Sequence, residues 1–192
     1  MGSFKVAIVG GSIAGLTVAL HLEKLGIDWV LIERNHEIAP QLGASISLAP
    51  NGLSVLSQLG CFEEVDKQSY PIEHVVVRNG NGAVLWGFDI LDRIRSKYGF
   101  DVCFTERQVI VDILHRNIKR KDKIVTSQKV TKIEHIGNKV ELSTKEGLTF
   151  TADIVVGCDG IHSSTRREMW RIAKEEDPRV FGKDPAKGKN CV

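Results

Sequence analysis

The chain has 192 residues, 42% of them hydrophobic, with 26 Lys and Arg against 24 Asp and Glu for a formal net charge of +2. That length builds one good core, or one domain and part of another, and so small a charge excludes a nucleic-acid footprint or a polybasic membrane surface. The four cysteines, Cys61, Cys103, Cys158 and Cys191, form no C-x-x-C pair; this argues against a zinc site or a disulfide framework and fits a reducing compartment. The six histidines show no metal-ligand spacing. No apolar run approaches the roughly 18 residues that span a bilayer, and "MGSFKVAIVGG" has neither a signal-peptide layout nor a myristoylation pattern. The expectation is therefore a cytoplasmic chain with no membrane segment, no metal and no nucleic-acid partner.

In chain order, residues 4–9 read as a buried parallel strand ending in Gly10-Gly11. Ile13, Leu16, Leu20 and Leu22–Leu25 follow at helical spacing until Gly26, and Trp29–Glu33 is a second apolar strand. Strand, glycine turn, helix and strand within about 30 residues make a βαβ unit. "NHEIAPQLGASISLAP" reads as a loop bounded by prolines, and Gly52–Gly60 as a short helix. His74–Arg78 and Ala83–Phe88 are strands joined by the hairpin turn "NGNG". Thr105-Glu106-Arg107-Gln108 has the form of a capping box opening a helix through about Lys119. Strands follow at Val130–Ile136, Lys139–Ser143 and Leu148–Thr151, then a buried strand at Asp153–Gly157 and a helix over Thr165–Lys174. The remainder, "EEDPRVFGKDPAKGKNCV", reads as an irregular basic tail.

The turn "VGGSIAG" carries the first chemistry. A dinucleotide loop needs one glycine to turn sharply, a second to admit a pyrophosphate to the backbone and a third to pack helix on strand. Gly10 and Gly15 fill the first and third roles, while Ser12 replaces the second with a small side chain whose hydroxyl can cap the helix or donate to phosphate. The helix N-terminus adds partial positive charge. Glu33 ends the second strand 23 positions after Gly10, where an acid accepts from a ribose diol and disfavours a 2′-phosphate. NAD or FAD is thus favoured over NADP as the nucleotide held there.

The second motif lies at residues 153–166, "DIVVGCDGIHSSTR", where a strand delivers Asp159-Gly160 to the ligand-binding edge of an α/β sheet, with Ser163 and Arg166 following at one-turn spacing. Taken alone it is also a strand, a turn and a capped helix. "D-G-x-x-S-x-x-R" after "A-D-x-x-V-G" resembles the signature of single-component FAD-dependent monooxygenases of the aromatic-hydroxylase type. "FTERQVIVDIL" and "IAPQLGASISLAPNGLSVLSQLG" resemble that family's arginine-bearing helix and flavin-side loop. The likeness is strongest to the fungal branch that oxidises prenylated indoles and meroterpenoids, through "VGGSIAGLT", "ERNHEIAPQLGASI", "PNG", "TERQ" and "VVGCDGIHSSTRREMW", and it covers residues 5–172.

That resemblance implies an α/β, Rossmann-like FAD-binding fold of the glutathione-reductase type, with a β-meander insertion and the start of a substrate domain, its C-terminal part missing. It divides the chain into an incomplete FAD-binding domain, 1–174, and a tail, 175–192. It implies that Gly10, Ser12, Ala14 and Gly15 cradle the FAD pyrophosphate and that Glu33 holds the adenosine ribose. Gly43, Ala44 and Ser47 would line the flavin, Arg107 contact the cofactor, and Asp159 bond near the pyrophosphate; Ser47 stands where the family more often has glycine. NAD(P)H would reduce FAD, and one oxygen atom of O2 would enter a prenylated or aromatic small molecule by hydroxylation or epoxidation. No catalytic side chain is singled out, since the flavin carries the chemistry. Relatives run to more than twice this length and many fungal members are membrane-attached, so the expectation is a truncated chain. The alternatives are a non-catalytic remnant and an NAD-binding module.

Overall fold

The computed structural model describes residues 4–38, 44–88, 90–177 and 179. The described chain forms two compact units, residues 1–38 with 118–192 and residues 39–117.

In the first unit, β1 (Lys5–Val9) and β2 (Asp28–Ile32) are nearly continuous apolar runs because each is covered on both faces. They pair in parallel, Val6 opposite Trp29 through Val9 opposite Ile32. Between them α1 (Ile13–Lys24) packs on both strands and buries Leu16, Ala19 and Leu20. A short strand of two residues, Ile124–Val125, extends the sheet beyond β2. On the other flank β1 pairs in parallel with a late strand, Ile154–Gly157, although nearly 150 positions separate them. The four-stranded order is therefore late strand, β1, β2, Ile124–Val125.

The second unit begins with β3 (Ser45–Leu48), then α2 (Pro50–Leu59) and α3 (Phe62–Asp66). Strands β4 (Tyr70–Pro71), β5 (Val75–Arg78) and β6 (Val84–Phe88) lead to α4 (Ile90–Tyr98), β7 (Cys103–Glu106) and α5 (Arg107–Asn117). Strand β7 is the centre of an antiparallel sheet, with β3 on one side and β4 on the other. The β5–β6 hairpin turns on Asn79, whose side-chain oxygen accepts from the amides of Asn81 and Ala83. Its Val76, Val84, Leu85 and Trp86 stand exposed.

After Ile124–Val125 (β8) the first unit resumes with a meander, β9 (Val130–Ile136), β10 (Lys139–Thr144) and β11 (Thr149–Ala152), leading into β12 (Ile154–Gly157) and α6 (Ser164–Glu176). Meander and parallel sheet share one core in which Ala7, Val9, Val30 and Ile32 meet Val130, Ile133, Leu142 and Ala152. Asp153 ties their junction, accepting from the Lys5 amide at 2.8 Å and from Lys139 Nζ at 2.5 Å.

Three expectations need correction. "SISL", read as loop, is strand β3, because its backbone pairs with β7 from Ser45 opposite Glu106 to Leu48 opposite Cys103. The helix starts later than the capping-box spacing puts it: Thr105 lies in β7, where its hydroxyl donates to the Gln68 carbonyl at 3.0 Å, and α5 begins at Arg107. The strand at 153–157 is not buried; Ile154 is 47% exposed, since β12 has a neighbour only at β1 among the described residues.

Two outcomes follow. Leu142→Ala, at a fully buried position between meander and sheet, lowers stability by about 2–5 kcal/mol through lost transfer energy and the cavity left behind, read from the urea midpoint. Lys139 first, and the Lys5 amide after it, hold the Asp153 carboxyl below its ordinary value of 3.8. A depressed carboxyl contributes stability that is complete above that value and lost as pH falls through the folded one. Asp153→Asn therefore flattens the acid limb of the stability curve below about pH 4 and leaves its shape unchanged near neutrality, as thermal unfolding across pH shows.

Candidate functional site

The carboxyl ends of β1 and β12 lie side by side, and the loops leaving them meet backbone to backbone. The Cys158 amide donates to the Val9 carbonyl at 2.7 Å, and the Gly10 amide donates to the Ile32 carbonyl at 2.8 Å. Gly10 sits at φ +105°, and a Cβ there would stand 2.5 Å from the Cys158 carbonyl oxygen and 2.9 Å from the Asp159 nitrogen. A side chain at position 10 is therefore excluded twice, by the left-handed backbone and by the neighbouring loop. Gly15 is excluded by contact alone: its Cβ would lie 1.9 Å from the Gly10 carbonyl oxygen, so α1 starts directly against the turn.

Ser12 is the N-cap of α1 in extended backbone, φ −99° and ψ −164°, and its carbonyl accepts from the Leu16 amide at 2.9 Å. Its hydroxyl makes no capping bond, and the first turn of α1 contains no acidic residue. Ala14 is exposed on that turn. The first turn of α1 thus carries no acid of its own.

Glu33 is 7% exposed, yet its carboxylate is well partnered. One oxygen accepts from the Gly11 amide at 2.6 Å and the other from the Asn35 amide at 2.8 Å. Each oxygen retains acceptor capacity beyond those bonds. Gly11 and Asn35 were not among the residues read from the sequence as candidates. The Gly10-Gly11 pair was a signal for the first, because a Cβ at 11 would strike Ile38 Cδ1 at 2.5 Å and approach Glu33 Cβ at 3.2 Å.

Asp159 faces its own helix. Its carboxylate accepts from the Ser163 hydroxyl at 2.5 Å, the Ser164 amide at 2.6 Å and the Thr165 amide at 3.1 Å, while Ser163 Oγ accepts from the Arg166 amide at 2.9 Å. The first amides of α6 are thereby satisfied. Cys158, for which the sequence suggested no role, contributes its backbone to the contact with Gly10. Burial, and behind it the Asp159 charge, pushes its thiol up, so at neutral pH it is no thiolate nucleophile.

The structure brings Gly10, Ser12, Ala14, Gly15, Glu33 and Asp159 to one end of the first unit. Ala44, Ser47 and Arg107 belong to the second unit, where the Ala44 carbonyl accepts from the Arg107 amide at 2.9 Å and Ser47, exposed on β3, stands opposite Phe104. Gly43 lies outside the described residues. Among the described residues no group of three His, Cys, Asp or Glu side chains is arranged to hold a metal, and no helix is long and apolar enough to cross a membrane.

A parallel sheet with a glycine turn, a buried acid after the second strand and a second loop locked against the first is the frame of a dinucleotide site. The sequence model of the FAD binding domain matches residues 3–179. The chain belongs to the FAD-binding domain family. It is similar to the FAD-dependent monooxygenase olcE of Penicillium canescens, 42% identical over 181 residues, covering 92% of this chain and 38% of that protein. It is likewise similar to the FAD-dependent monooxygenase ctvC of Aspergillus terreus, 39% identical over 93% of this chain and 38% of that one. The chain thus spans less than half the length of these relatives. Among solved structures, Klebsiella pneumoniae HpxO complexed with FAD and uric acid aligns with TM-score 0.75 and 26% identity over 85% of this chain and 41% of that one. The tetrameric form of 2-methyl-3-hydroxypyridine-5-carboxylic acid oxygenase aligns with TM-score 0.75 and 25% identity over 88% and 43%. These likenesses bear out the expected α/β FAD-binding fold, and the cofactor of the family is FAD.

Gly15→Ala tests the closest contact. With a carbonyl oxygen 1.9 Å from the new methyl, α1 must shift off β1, and the variant loses about 2–4 kcal/mol, measured as a lower urea midpoint.

Proposed function

We propose that the first unit holds the ADP half of FAD at this rim and that the chain supplies the FAD-binding portion of a monooxygenase. The observation that carries the proposal is the backbone contact between Gly10 and Cys158–Asp159, which leaves a side-chain-free approach to the start of α1. On this reading a diphosphate meets the first-turn amides of α1 beside Gly10, Ser12, Ala14 and Gly15, and the helix end supplies the positive potential. Glu33 uses its remaining acceptor capacity for the two hydroxyls of the adenosine ribose, and its negative charge opposes a 2′-phosphate. Asp159 holds the second loop against the first and so keeps the cradle narrow. In the second unit, Gly43, Ala44, Ser47 and Arg107 are assigned to the flavin side, Arg107 as a cationic contact. Residues 1–174 make up the FAD-binding domain on this reading, and 175–192 a tail whose four Lys and Arg are balanced by four Asp and Glu.

Bound FAD, reduced by NAD(P)H, supplies oxygen-transfer chemistry. This chain's own residues bind and orient the cofactor, and none is assigned as nucleophile or general acid. The proposed substrate is a prenylated or aromatic small molecule of secondary metabolism, hydroxylated or epoxidised with one atom of O2. The fungal relatives named FAD-dependent monooxygenases support that assignment, and uric acid in the HpxO complex supports a small planar substrate. The chain is proposed to act in the cytoplasm.

Adding FAD to the purified chain should quench flavin fluorescence saturably and leave a yellow protein after gel filtration. Glu33→Gln keeps the side-chain shape but can accept from only one of the Gly11 and Asn35 amides, since its NH2 group is a donor; with the charge-assisted ribose contacts weakened as well, the dissociation constant rises at least roughly tenfold, the worth of about 1.4 kcal/mol. A colourless protein with native circular dichroism, or a Glu33→Gln variant with unchanged affinity, rejects the assignment. Mass spectrometry for a product heavier by one oxygen atom, made from a prenylated indole or terpenoid with NADPH, tests the reaction itself.

A further inference from the structure

We infer that Glu168 and Arg171 of α6 form a positioning pair for the FAD cradle: by gripping the backbone of Ile133 they fix where α6 lies along the meander, and through α6 they fix the loop that meets Gly10. This role rests on the cofactor reading above, and neither residue belongs to the rim itself. One residue of β9 shows the grip. Ile133 lies opposite Leu142 of β10, and its side chain is buried in the shared core. Its amide and carbonyl both turn to α6: the amide donates to Glu168 Oε2 at 3.1 Å, and the carbonyl accepts from Arg171 Nη2 at 2.7 Å. In an antiparallel strand the two polar groups of one residue point to the same side. Here a carboxylate and a guanidinium, one helix turn apart, satisfy them as a neighbouring strand would.

The two side chains are bound to each other as well. Arg171 Nε and Nη2 donate to Glu168 Oε2 at 3.1 and 2.9 Å, and Arg171 Nη1 donates to both oxygens of Glu175 at 3.1 and 2.9 Å. Burial works against the charge on Glu168, but the Arg171 guanidinium and the Ile133 amide outweigh it and hold the carboxyl below its ordinary value of 4.5. At neutral pH Glu168 therefore stays an acceptor and Arg171 a donor, and the polarity of the grip is fixed. Ile172 also packs on the core. Apolar contact is non-directional and tolerates sliding along the helix axis. Two charge-assisted hydrogen bonds of opposite sense to a single residue do not.

α6 carries this constraint to the rim. The Ser164 and Thr165 amides, which donate to Asp159, lie one turn before Glu168, roughly 5 Å along the axis. Thr165 also abuts the end of β12, where a Cβ at Gly157 would stand 2.9 Å from Thr165 Cβ. Asp159 in turn belongs to the loop whose backbone closes on Gly10. The grip on Ile133 and the hold on Asp159 are thus joined through the first two turns of one helix. A shift of α6 along β9 moves the Asp159 loop against Gly10 and changes the width of the cradle.

Two measurements on the full chain test this: FAD affinity by fluorescence quenching, and residue-resolved amide hydrogen exchange by NMR without cofactor. Arg171→Met and Glu168→Leu each raise the FAD dissociation constant roughly fivefold, within the range of couplings that such networks carry. Glu168→Gln, which keeps an acceptor for the Ile133 amide, changes it less than about twofold. In the cofactor-free chain the first two variants speed exchange at Cys158, Ser164 and Thr165 at least about fivefold and leave the β1–β2 ladder unchanged, which separates local loosening from general loss of stability. If Glu168→Leu is poorly folded by circular dichroism, Arg171→Met decides the matter, since its side chain is 36% exposed. Variants that bind FAD as the wild-type chain does overturn the positioning role and leave the cofactor reading standing. Faster exchange spread evenly over the first unit also overturns it, as a purely structural effect. A wild-type chain that takes up no FAD rejects both, and does so before any variant is made.

Discussion

The contact between Gly10 and the Cys158–Asp159 backbone governs the geometry of the first unit. It exists because β1 and β12 are parallel neighbours whose carboxyl ends finish level, Val9 opposite Gly157. Two loops leaving adjacent parallel strands compete for the same space, and here one of them yields by having no side chain. Gly15 then lets α1 begin against the same turn, and Glu33 draws the Gly11 amide to a fixed place. Each restraint acts on backbone, two through the absence of a side chain at Gly10 and Gly15 and one through the Glu33 carboxylate.

That backbone character explains which parts were legible beforehand. The βαβ unit was readable because strand, turn and helix each leave a periodic or glycine signal, and the meander because its strands alternate between clear turns. Val130–Ile136 begins and ends where its pattern predicts. Glu33 was readable because an acid at the end of an apolar run is a local anomaly. By contrast, β3 depends on its partner: "SISL" is strand only because β7 lies beside it, and no spacing within residues 45–48 says so. The same dependence misled the reading of Thr105. A Thr-x-x-Gln spacing suits a helix start, but Thr105 belongs to β7 opposite Ile46, and the helix begins two residues on at Arg107.

The site shows a similar division. Motif spacing identified the residues at the rim of the first unit, but side-chain orientation had to come from the fold. Asp159 is the clearest case. An acid at a loop tip beside a glycine turn invites a ligand role, whereas its oxygens here gather three donors from the three residues Ser163 to Thr165. Its influence on the rim is exerted through the position of the loop. Cys158 illustrates the reverse, a side chain without assigned chemistry whose carbonyl and amide shape the rim.

Two helices start at this one edge of the sheet, and they are electrically unequal. The field at the head of α6 is cancelled by an internal carboxylate and a serine hydroxyl, whereas α1 has neither an acid in its first turn nor a capping hydroxyl bond. The two starts differ in where a carboxylate meets them: Asp159 bonds amides within the first turn of α6, whereas Glu33 bonds the Gly11 amide one residue ahead of the α1 cap.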